Sequence, residues 1–216
     1  MPDLKITVVG AAPERYAAVP TIGFRLNVAN AAPEETIYTI ALRCQIQLEV
    51  NHRHYTAGEK ANLQDLFGTP ERWGQTLKSM LWTHASVVVP QFTGNTEVLL
   101  QVPCTFDFSV GATKYFHGLK DGDLPLNFMF SGSTFYRNDT GQVQVSPISW
   151  SLESRFRLPL ALWREVIDLF YPNTAWMCVR RDVFDRLHKL KIETGTTSWE
   201  QLFEELLSTR QEPVNS

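Results

Sequence analysis

Strict alternation of apolar and polar residues is the feature that most constrains what this chain can fold into. From Ile40 to Val50 every even-numbered position is apolar, whereas most odd-numbered positions are polar. Successive side chains of a strand point to opposite faces, so this pattern predicts a long strand with one buried face and one solvated face. A helix would scatter the same residues around its circumference.

The same alternation recurs along the first 157 residues. Further apolar series run through Phe24–Val28, Trp82–Val88, Val98–Phe108 and Leu126–Tyr136, and a last series from Val143 to Phe156 changes phase beside Pro147. Seven or eight strands with one polar face favour antiparallel pairing, because parallel strands are buried on both faces. The sequence therefore predicts a mainly β fold, an antiparallel two-sheet β-sandwich of immunoglobulin-like or jelly-roll-like type.

Helical patterns come late in the chain. Pro159 suits the first turn of a helix that carries Leu160 and Trp163 on one face. Asp182 is a candidate cap for a second helix that ends at Gly195, and Ser198 with Gln201 has the spacing of a capping box for a third. Helices this short need a surface to pack on, so we expect them to cover the sandwich.

These patterns predict the domain organisation. We expect a sandwich at 1–157 with a helix-and-loop insertion at about 58–79, a helical extension at 158–210 packed on it, and a loose tail at 211–216.

Composition excludes several classes of protein. The net charge of −3 over 216 residues argues against nucleic-acid binding, and no apolar run is long enough for a membrane span. The first residues lack the features of a signal peptide, which predicts a cytoplasmic protein. Three cysteines without close spacing predict neither a disulfide framework nor a zinc knuckle, and we predict no cofactor.

Two histidines form the first candidate site. His52 and His54 continue the even-numbered series of the Ile40 strand, so both rings could project from one face, with His84 or His117 as a third metal ligand. A solvated strand end explains the same residues without any metal. Both interpretations stay open.

Aromatic residues form the second candidate site. Trp73 lies in a turn-like segment that no apolar stripe explains, and together with Trp82 and Tyr55 it could form a platform for a ligand or partner. Trp150, Trp163 and Trp199 lie in apolar stripes and are predicted to be core residues.

No catalytic constellation is visible. A nucleophile elbow and a phosphate-binding loop are both absent from the sequence, and Cys44 and Cys104 fall within apolar series, where a thiol packs as a small hydrophobic group. We therefore expect a protein without catalytic activity.

The C-terminal part of the chain resembles an uncharacterised bacterial family. The resemblance rests on the segments Tyr171–Trp176, Arg180–Leu187 and Ser198–Glu200, together with Ile40–Ile46, and extends over nearly the whole chain. Members of that family are often encoded beside uptake nickel–iron hydrogenase genes, which implies a cytoplasmic accessory role. The family has no established catalytic residues.

Three hypotheses follow for the function. The first is a non-enzymatic cytoplasmic protein that acts through a protein partner or as a homo-oligomer, in association with a hydrogenase. The second is a sandwich that binds a small molecule or carbohydrate at Tyr55, Trp73 and Trp82. The third is a metal-dependent enzyme built on His52 and His54.

Overall fold

Antiparallel strands form two sheets in the computed structural model, which describes residues 2–106, 110–137 and 141–211. The strands are β1 Leu4–Pro13, β2 Thr21–Asn30, β3 Ile37–Leu48, β4 Met80–Val89, β5 Asn95–Pro103, β6 Asp123–Arg137, β7 Val143–Pro147 and β8 Glu153–Pro159. The three-stranded sheet has the order β1-β2-β5. The five-stranded sheet has the order β4-β3-β6-β7, and β8 also pairs with β6. The predicted fold class, a mainly β protein with two antiparallel sheets, is confirmed.

The central strand β3 shows why the alternation is informative. Its even-numbered side chains from Ile40 to Leu48 are buried, whereas Ala41 and Arg43 are exposed. Across the interior, Phe24 of the three-stranded sheet lies edge-to-face against Phe128, with ring centroids 5.0 Å apart, and against Trp82 at 6.2 Å. Contact between these aromatic rings joins the apolar faces of the two sheets.

The strand β3 ends earlier than the sequence predicts. Its last residue, Leu48, pairs with Met80 and Leu126, and β4 begins at Met80, so no partner on that side extends the ladder. The chain turns instead, and Val50–His52 forms one turn of 3₁₀ helix. The prediction that His52 and His54 continue the strand is therefore wrong, although Val50 is still buried.

The series from Val98 to Phe108 also ends early. β5 stops at Pro103, opposite Thr21, which is the first residue of its partner β2. Phe106 lies half-buried in a turn, and Phe108 is outside the described residues. A helix at Val110–Gly118 follows, which the alternation did not predict.

The phase change beside Pro147 separates two strands. β7 pairs with residues 133–137 of β6, and β8 pairs with residues 123–129 of the same strand. Between them Gly132 has a φ of +135°, and its carbonyl accepts a hydrogen bond from the Ile148 N–H at 2.9 Å. The predicted kink is thus a complete break between two half-length strands.

The helices of the described residues are α1 Ala57–Asn62, α2 Gln64–Phe67, α3 Trp73–Thr76, α4 Val110–Gly118, α5 Leu160–Phe170, α6 Arg181–Thr194 and α7 Trp199–Gln211. α1 to α3 occupy the region where the sequence indicated an insertion. α5 buries Leu160, Trp163 and Val166. None of these helices combines the length and the apolar character that a membrane span requires.

The chain divides into two compact units, 1–174 and 175–216. The first unit contains both sheets and α1 to α5, and the second contains α6 and α7. The N-cap position of α6 is Arg180, whose side chain makes no capping hydrogen bond, so the prediction that Asp182 caps this helix is wrong. α6 ends at Gly195 in the left-handed conformation with φ +69°. Ser198 accepts the Gln201 N–H at 3.1 Å, as the capping-box spacing predicts.

Candidate functional site

The aromatic residues singled out by the sequence lie inside the first unit. Trp73 is 6% exposed, and its Nε1–H donates to the Gly68 carbonyl at 2.9 Å. Tyr55 lies edge-to-face against Trp73 at 5.3 Å and donates its hydroxyl to the Val50 carbonyl at 2.6 Å. Both rings therefore anchor the short helices α1 to α3.

Trp82 takes no part in that pair. It is 4% exposed on β4 and packs edge-to-face against Phe116 of α4, with centroids 5.3 Å apart. Trp73 and Trp82 consequently offer no open ring face, which a stacking platform would need.

The histidines do not assemble into a metal centre. His52 pairs through Nδ1 with Glu49 at 3.2 Å, His54 is exposed beyond the 3₁₀ turn, and His84 lies exposed on β4 opposite Gln45. Within the described part of the chain, no group of three or more His, Cys, Asp or Glu side chains is arranged to hold a metal ion.

A buried ion pair lies beside the tyrosines, and sequence reasoning missed it. Arg53 Nη2 is 2.9 Å from Glu59 Oε1, and the two side chains are 9% and 3% exposed. Arg53 also donates to the main-chain carbonyls of Asp121 and of Asp123, the latter at 2.6 Å. The ion pair thus connects α1 to the start of β6. The Thr56-x-x-Glu59 spacing is a capping-box signal that could have predicted the role of Glu59.

Glu59 is fully engaged in hydrogen bonds. Its Oε2 accepts from the Thr56 N–H at 2.9 Å and the Thr56 hydroxyl at 3.1 Å, while Oε1 accepts from the Lys120 N–H at 3.0 Å in addition to Arg53. Burial alone would raise the pKa of this carboxyl, but the donated hydrogen bonds outweigh it, and the pKa lies below its usual value. A carboxylate held by four donors is poorly suited to accept a proton from a substrate.

The two tyrosines beside the ion pair and the buried thiols elsewhere in the fold are not activated as nucleophiles. The Tyr55 and Tyr115 hydroxyls are 2.9 Å apart, and burial raises the pKa of both. Burial likewise raises the pKa of Cys44 and Cys104 to about 12, so both thiols stay protonated at neutral pH. The groups of this polar cluster are thus held by contacts with one another and with the main chain; its members are Arg53, Glu59, Tyr55 and Tyr115.

The lowered pKa of Glu59 predicts a pH-dependent stability. A carboxyl whose folded-state pKa is depressed stabilises the fold above its unfolded pKa, about 4.5, and loses that contribution as the pH falls through the folded value. We expect the free energy of unfolding, measured with urea between pH 7 and pH 3, to decline less steeply on acidification in Glu59→Gln than in wild type.

A matched control exists on the surface. Asp65→Asn removes an exposed carboxylate that pairs with Lys114 at 3.0 Å, so its acid profile should follow that of wild type. Parallel acid profiles for Glu59→Gln and wild type would contradict the role of the Glu59 carboxylate.

The second unit presents a different kind of surface. Between residues 175 and 209 only Thr196 and Leu202 are buried. Large apolar side chains are exposed instead: Trp176, Met177, Val179, Phe184, Ile192, Leu206 and Leu207. Ile192 of α6 is 68% exposed and Leu207 of α7 is 63% exposed. Exposed apolar side chains in this number are a feature of interaction sites in soluble proteins.

Aromatic rings connect the two helices of this unit. Phe184 of α6 lies 5.3 Å from Trp199 of α7, and His188 stacks on Phe184 at 6.1 Å. Phe203 stacks on Trp199 at 6.1 Å on the adjacent turn. This row of rings holds the helix pair together while leaving Phe184 44% exposed.

We call the exposed apolar side chains of α6 and α7 the helix-pair surface. Its members are Phe184, Ile192, Leu206 and Leu207.

One further tryptophan differs from expectation. Trp150 was predicted to be a core residue, yet it is 89% exposed. The prediction is wrong because residues 148–152 lie in the break between β7 and β8, where no strand pairing fixes which face is buried.

No curated protein matches this chain. Solved structures that resemble it include the putative ApaA protein from Bordetella pertussis, at 12% identity over 73% of this chain and 93% of that chain, with a TM-score of 0.29. A putative late embryogenesis abundant protein is 15% identical over 74% of this chain and 73% of that chain, with a TM-score of 0.31. The CARDB domain of a Pyrococcus furiosus protein, solved in complex with di-metal ions, is 11% identical over 73% of this chain and 87% of that chain, with a TM-score of 0.28.

A family model provides the stronger comparison. It spans residues 1–215 and is described as a family of unknown function. The sequence resemblance to an uncharacterised family is therefore confirmed. The chain belongs to the Family of unknown function (DUF6084).

Proposed function

We propose that this chain is a non-enzymatic interaction protein that binds another protein chain through the helix-pair surface. The observation that carries the proposal is the exposure of Phe184, Ile192, Leu206 and Leu207 on two helices that bury little else. The polar cluster around Arg53 supports the non-enzymatic part, because its ionised and hydroxyl groups are committed to contacts within the fold.

The architecture of the second unit supports the proposal that it binds a partner. Two helices form a single layer, and a single layer cannot enclose a core. Isolated helices of 13 or 14 residues are marginally stable in water, so an additional apolar surface that covers them is strongly favourable. Each large apolar side chain that becomes fully buried contributes roughly 1.5–3 kcal/mol.

Charges beside the helix-pair surface indicate the kind of partner. Glu200 and Glu204 of α7 have no hydrogen-bond or ion-pair partner among the described residues, and Glu204 precedes Leu207 by one helical turn. Arg181 and Arg186 of α6 likewise have no such partner among the described residues. We therefore expect the partner to present an apolar helix or groove with charged residues of both signs at its rim, since complementary charge favours correct docking.

We extend the proposal to a cytoplasmic accessory role beside a nickel–iron hydrogenase. This extension rests on the gene association that the sequence resemblance implies. Mass spectrometry of the complex isolated from the native host tests it. A hydrogenase subunit or maturation protein present in stoichiometric amount would support the extension, and a stoichiometric partner unrelated to hydrogenase would contradict it.

Two substitutions at adjacent positions test the interaction surface. Leu207→Glu places a charge on exposed apolar surface, whereas Ser208→Glu adds the same charge at an exposed polar position of the same helix. We expect Leu207→Glu to weaken assembly at least about 30-fold, the effect of losing a contact worth about 2 kcal/mol, and Ser208→Glu to leave assembly unchanged. The measurement is the molar mass by light scattering of each protein isolated gently from the native host. Equal assembly of both variants would contradict the proposal.

A further inference from the structure

Each helix of the second unit carries one stripe of aromatic and aliphatic side chains. Residues four apart lie one above the other on a helix, and the stripes consist of Phe184, His188 and Ile192 in α6 and of Trp199, Phe203 and Leu207 in α7. The ring contact between Phe184 and Trp199 at 5.3 Å brings the two stripes together. Both helices therefore contribute to one face of the unit.

Anions flank the stripe of α7. Glu200 and Glu204 are exposed and one turn apart, and Glu204 lies three residues before Leu207, so both carboxylates lie along the Leu207 side of the stripe. Glu205 lies on the opposite side of the helix, where its carboxylate accepts a hydrogen bond from Gln201 at 3.3 Å. A partner that covers the stripe therefore meets two negative charges beside Leu207.

Cations predominate beside the stripe of α6. Arg181 and Lys189 each lie three residues before a member of that stripe, and Lys191 Nζ lies 6.0 Å from the centre of the Trp199 ring. Asp185 is the anion that lies among them. Lys189 pairs with Glu193 at 3.7 Å, but both side chains are more than half exposed, and such pairs contribute little. The stripe of α6 is therefore flanked by net positive charge, opposite in sign to that of α7.

We propose that the partner is a second copy of this chain, related by a twofold axis, with α6 of each copy against α7 of the other. This inference rests on the proposed function, because it names the occupant of the helix-pair surface. A second copy supplies apolar stripes with cations to face Glu200 and Glu204, and anions to face Arg181. Pairing of α7 with α7 would instead oppose like charges.

The dimensions of the two helices fit this arrangement. α6 has 14 residues and α7 has 13, so each is about 20 Å long, and each spans the other. A stable interface buries about 800 Å² on each partner, more than one stripe provides, so both helices are needed. A twofold axis makes every favourable contact twice. A hydrogenase subunit would then bind elsewhere on the dimer.

Sedimentation equilibrium of the purified full chain alone tests the identity of the partner. We expect twice the 24.6 kDa of one chain at about 100 μM, and 24.6 kDa for Leu207→Glu. A wild-type monomer under these conditions, together with a larger native assembly that Leu207→Glu dissociates, would overturn the second copy and leave the proposed function standing. A dimer that Leu207→Glu does not weaken would contradict both.

Charge reversal tests how the copies face each other. We expect Glu200→Lys/Glu204→Lys and Arg181→Glu/Lys189→Glu each to dimerise at least tenfold more weakly than wild type, and an equimolar mixture of the two variants to dimerise as wild type does. Recovery in the mixture shows that both variants are folded. Unchanged affinity of the Glu200/Glu204 variant, or a mixture that stays monomeric, would overturn the proposed arrangement.

Matched controls lie on the same helices. Glu205→Lys of α7 and Arg186→Glu of α6 reverse exposed charges on the sides away from the stripes, so both should dimerise as wild type does. Circular dichroism verifies the helix content of every variant. Where a reversal lowers it, Glu200→Gln/Glu204→Gln takes its place and should weaken dimerisation at least threefold. An equal loss in the controls and the stripe variants would contradict the assignment of the stripes to the interface.

Discussion

Replacing Gly132 with alanine is expected to cost more than about 4 kcal/mol of unfolding free energy, enough to prevent folding of a protein of ordinary stability. Gly132 lies in β6 opposite Leu42 with a φ of +135°, and a Cβ there would lie 2.0 Å from the Ala41 carbonyl oxygen. The clash is with the backbone of the central strand β3, which cannot move without breaking two strand ladders. Circular dichroism during urea unfolding measures the loss.

Gly58 provides the matched control. It lies inside α1, and a Cβ at this position meets no atom within 4 Å. Because alanine is favoured over glycine in helices by about 0.5–1 kcal/mol, Gly58→Ala should be as stable as wild type or slightly more stable. A Gly132→Ala protein within 1 kcal/mol of wild type would show that the β3–β6 register described above is wrong.

Replacing Arg53 with methionine is expected to cost about 3–5 kcal/mol. The substitution keeps much of the side-chain volume but leaves the Glu59 carboxylate buried without a cation, and breaking a buried pair in this way is strongly destabilising. The Asp121 and Asp123 carbonyls lose their donor as well. Urea unfolding at pH 7 measures the change.

Two further variants separate the ion pair from general effects of the substitution. Arg157→Met removes an exposed guanidinium that lies 3.4 Å from Asp123, and it should cost less than about 1 kcal/mol. Glu59→Gln in the Arg53→Met background removes the unpaired charge, so the double variant should be more stable than Arg53→Met alone. Equal losses for Arg53→Met and Arg157→Met would contradict a structural role for the buried pair.

The sheets were predictable because each long strand has one buried and one solvated face. β3 is the clearest example, since its even-numbered side chains from Ile40 to Leu48 face the core. The alternation could not predict where a ladder stops, because that depends on the neighbouring strand. β3 ends at Leu48, opposite Met80, the first residue of β4. Because the strand stops there, His52 and His54 do not lie on a common strand face.

α4 could not be predicted for a different reason. Its buried residues include Ala112, Thr113, Tyr115 and Phe116, so the helix has no clear polar face and shows little periodicity. Trp73 and Trp150 show that the sequence pattern also fails to predict which tryptophans are buried. The sequence presented Trp73 as an unexplained contact residue and Trp150 as a core residue, but tertiary packing buries the first and exposes the second.

The sequence predicts the apolar character of the helix-pair surface but not its exposure. The stripe that runs from Trp199 to Leu207 is apparent from its spacing, and it was interpreted as a face covered by the sandwich. In the structure Leu202 is buried, whereas Leu206 and Leu207 are exposed. The spacing of apolar residues therefore identifies an apolar helix face, but it does not identify which of its residues are buried.

The molar mass of the native assembly tests the central claim, that this chain acts by binding another protein through the helix-pair surface. Light scattering on wild-type protein from its native host should give a mass well above the 24.6 kDa of one chain, and Leu207→Glu should return it to 24.6 kDa. A wild-type mass of 24.6 kDa at native concentration, or a Leu207→Glu protein that keeps the larger mass, would contradict the claim.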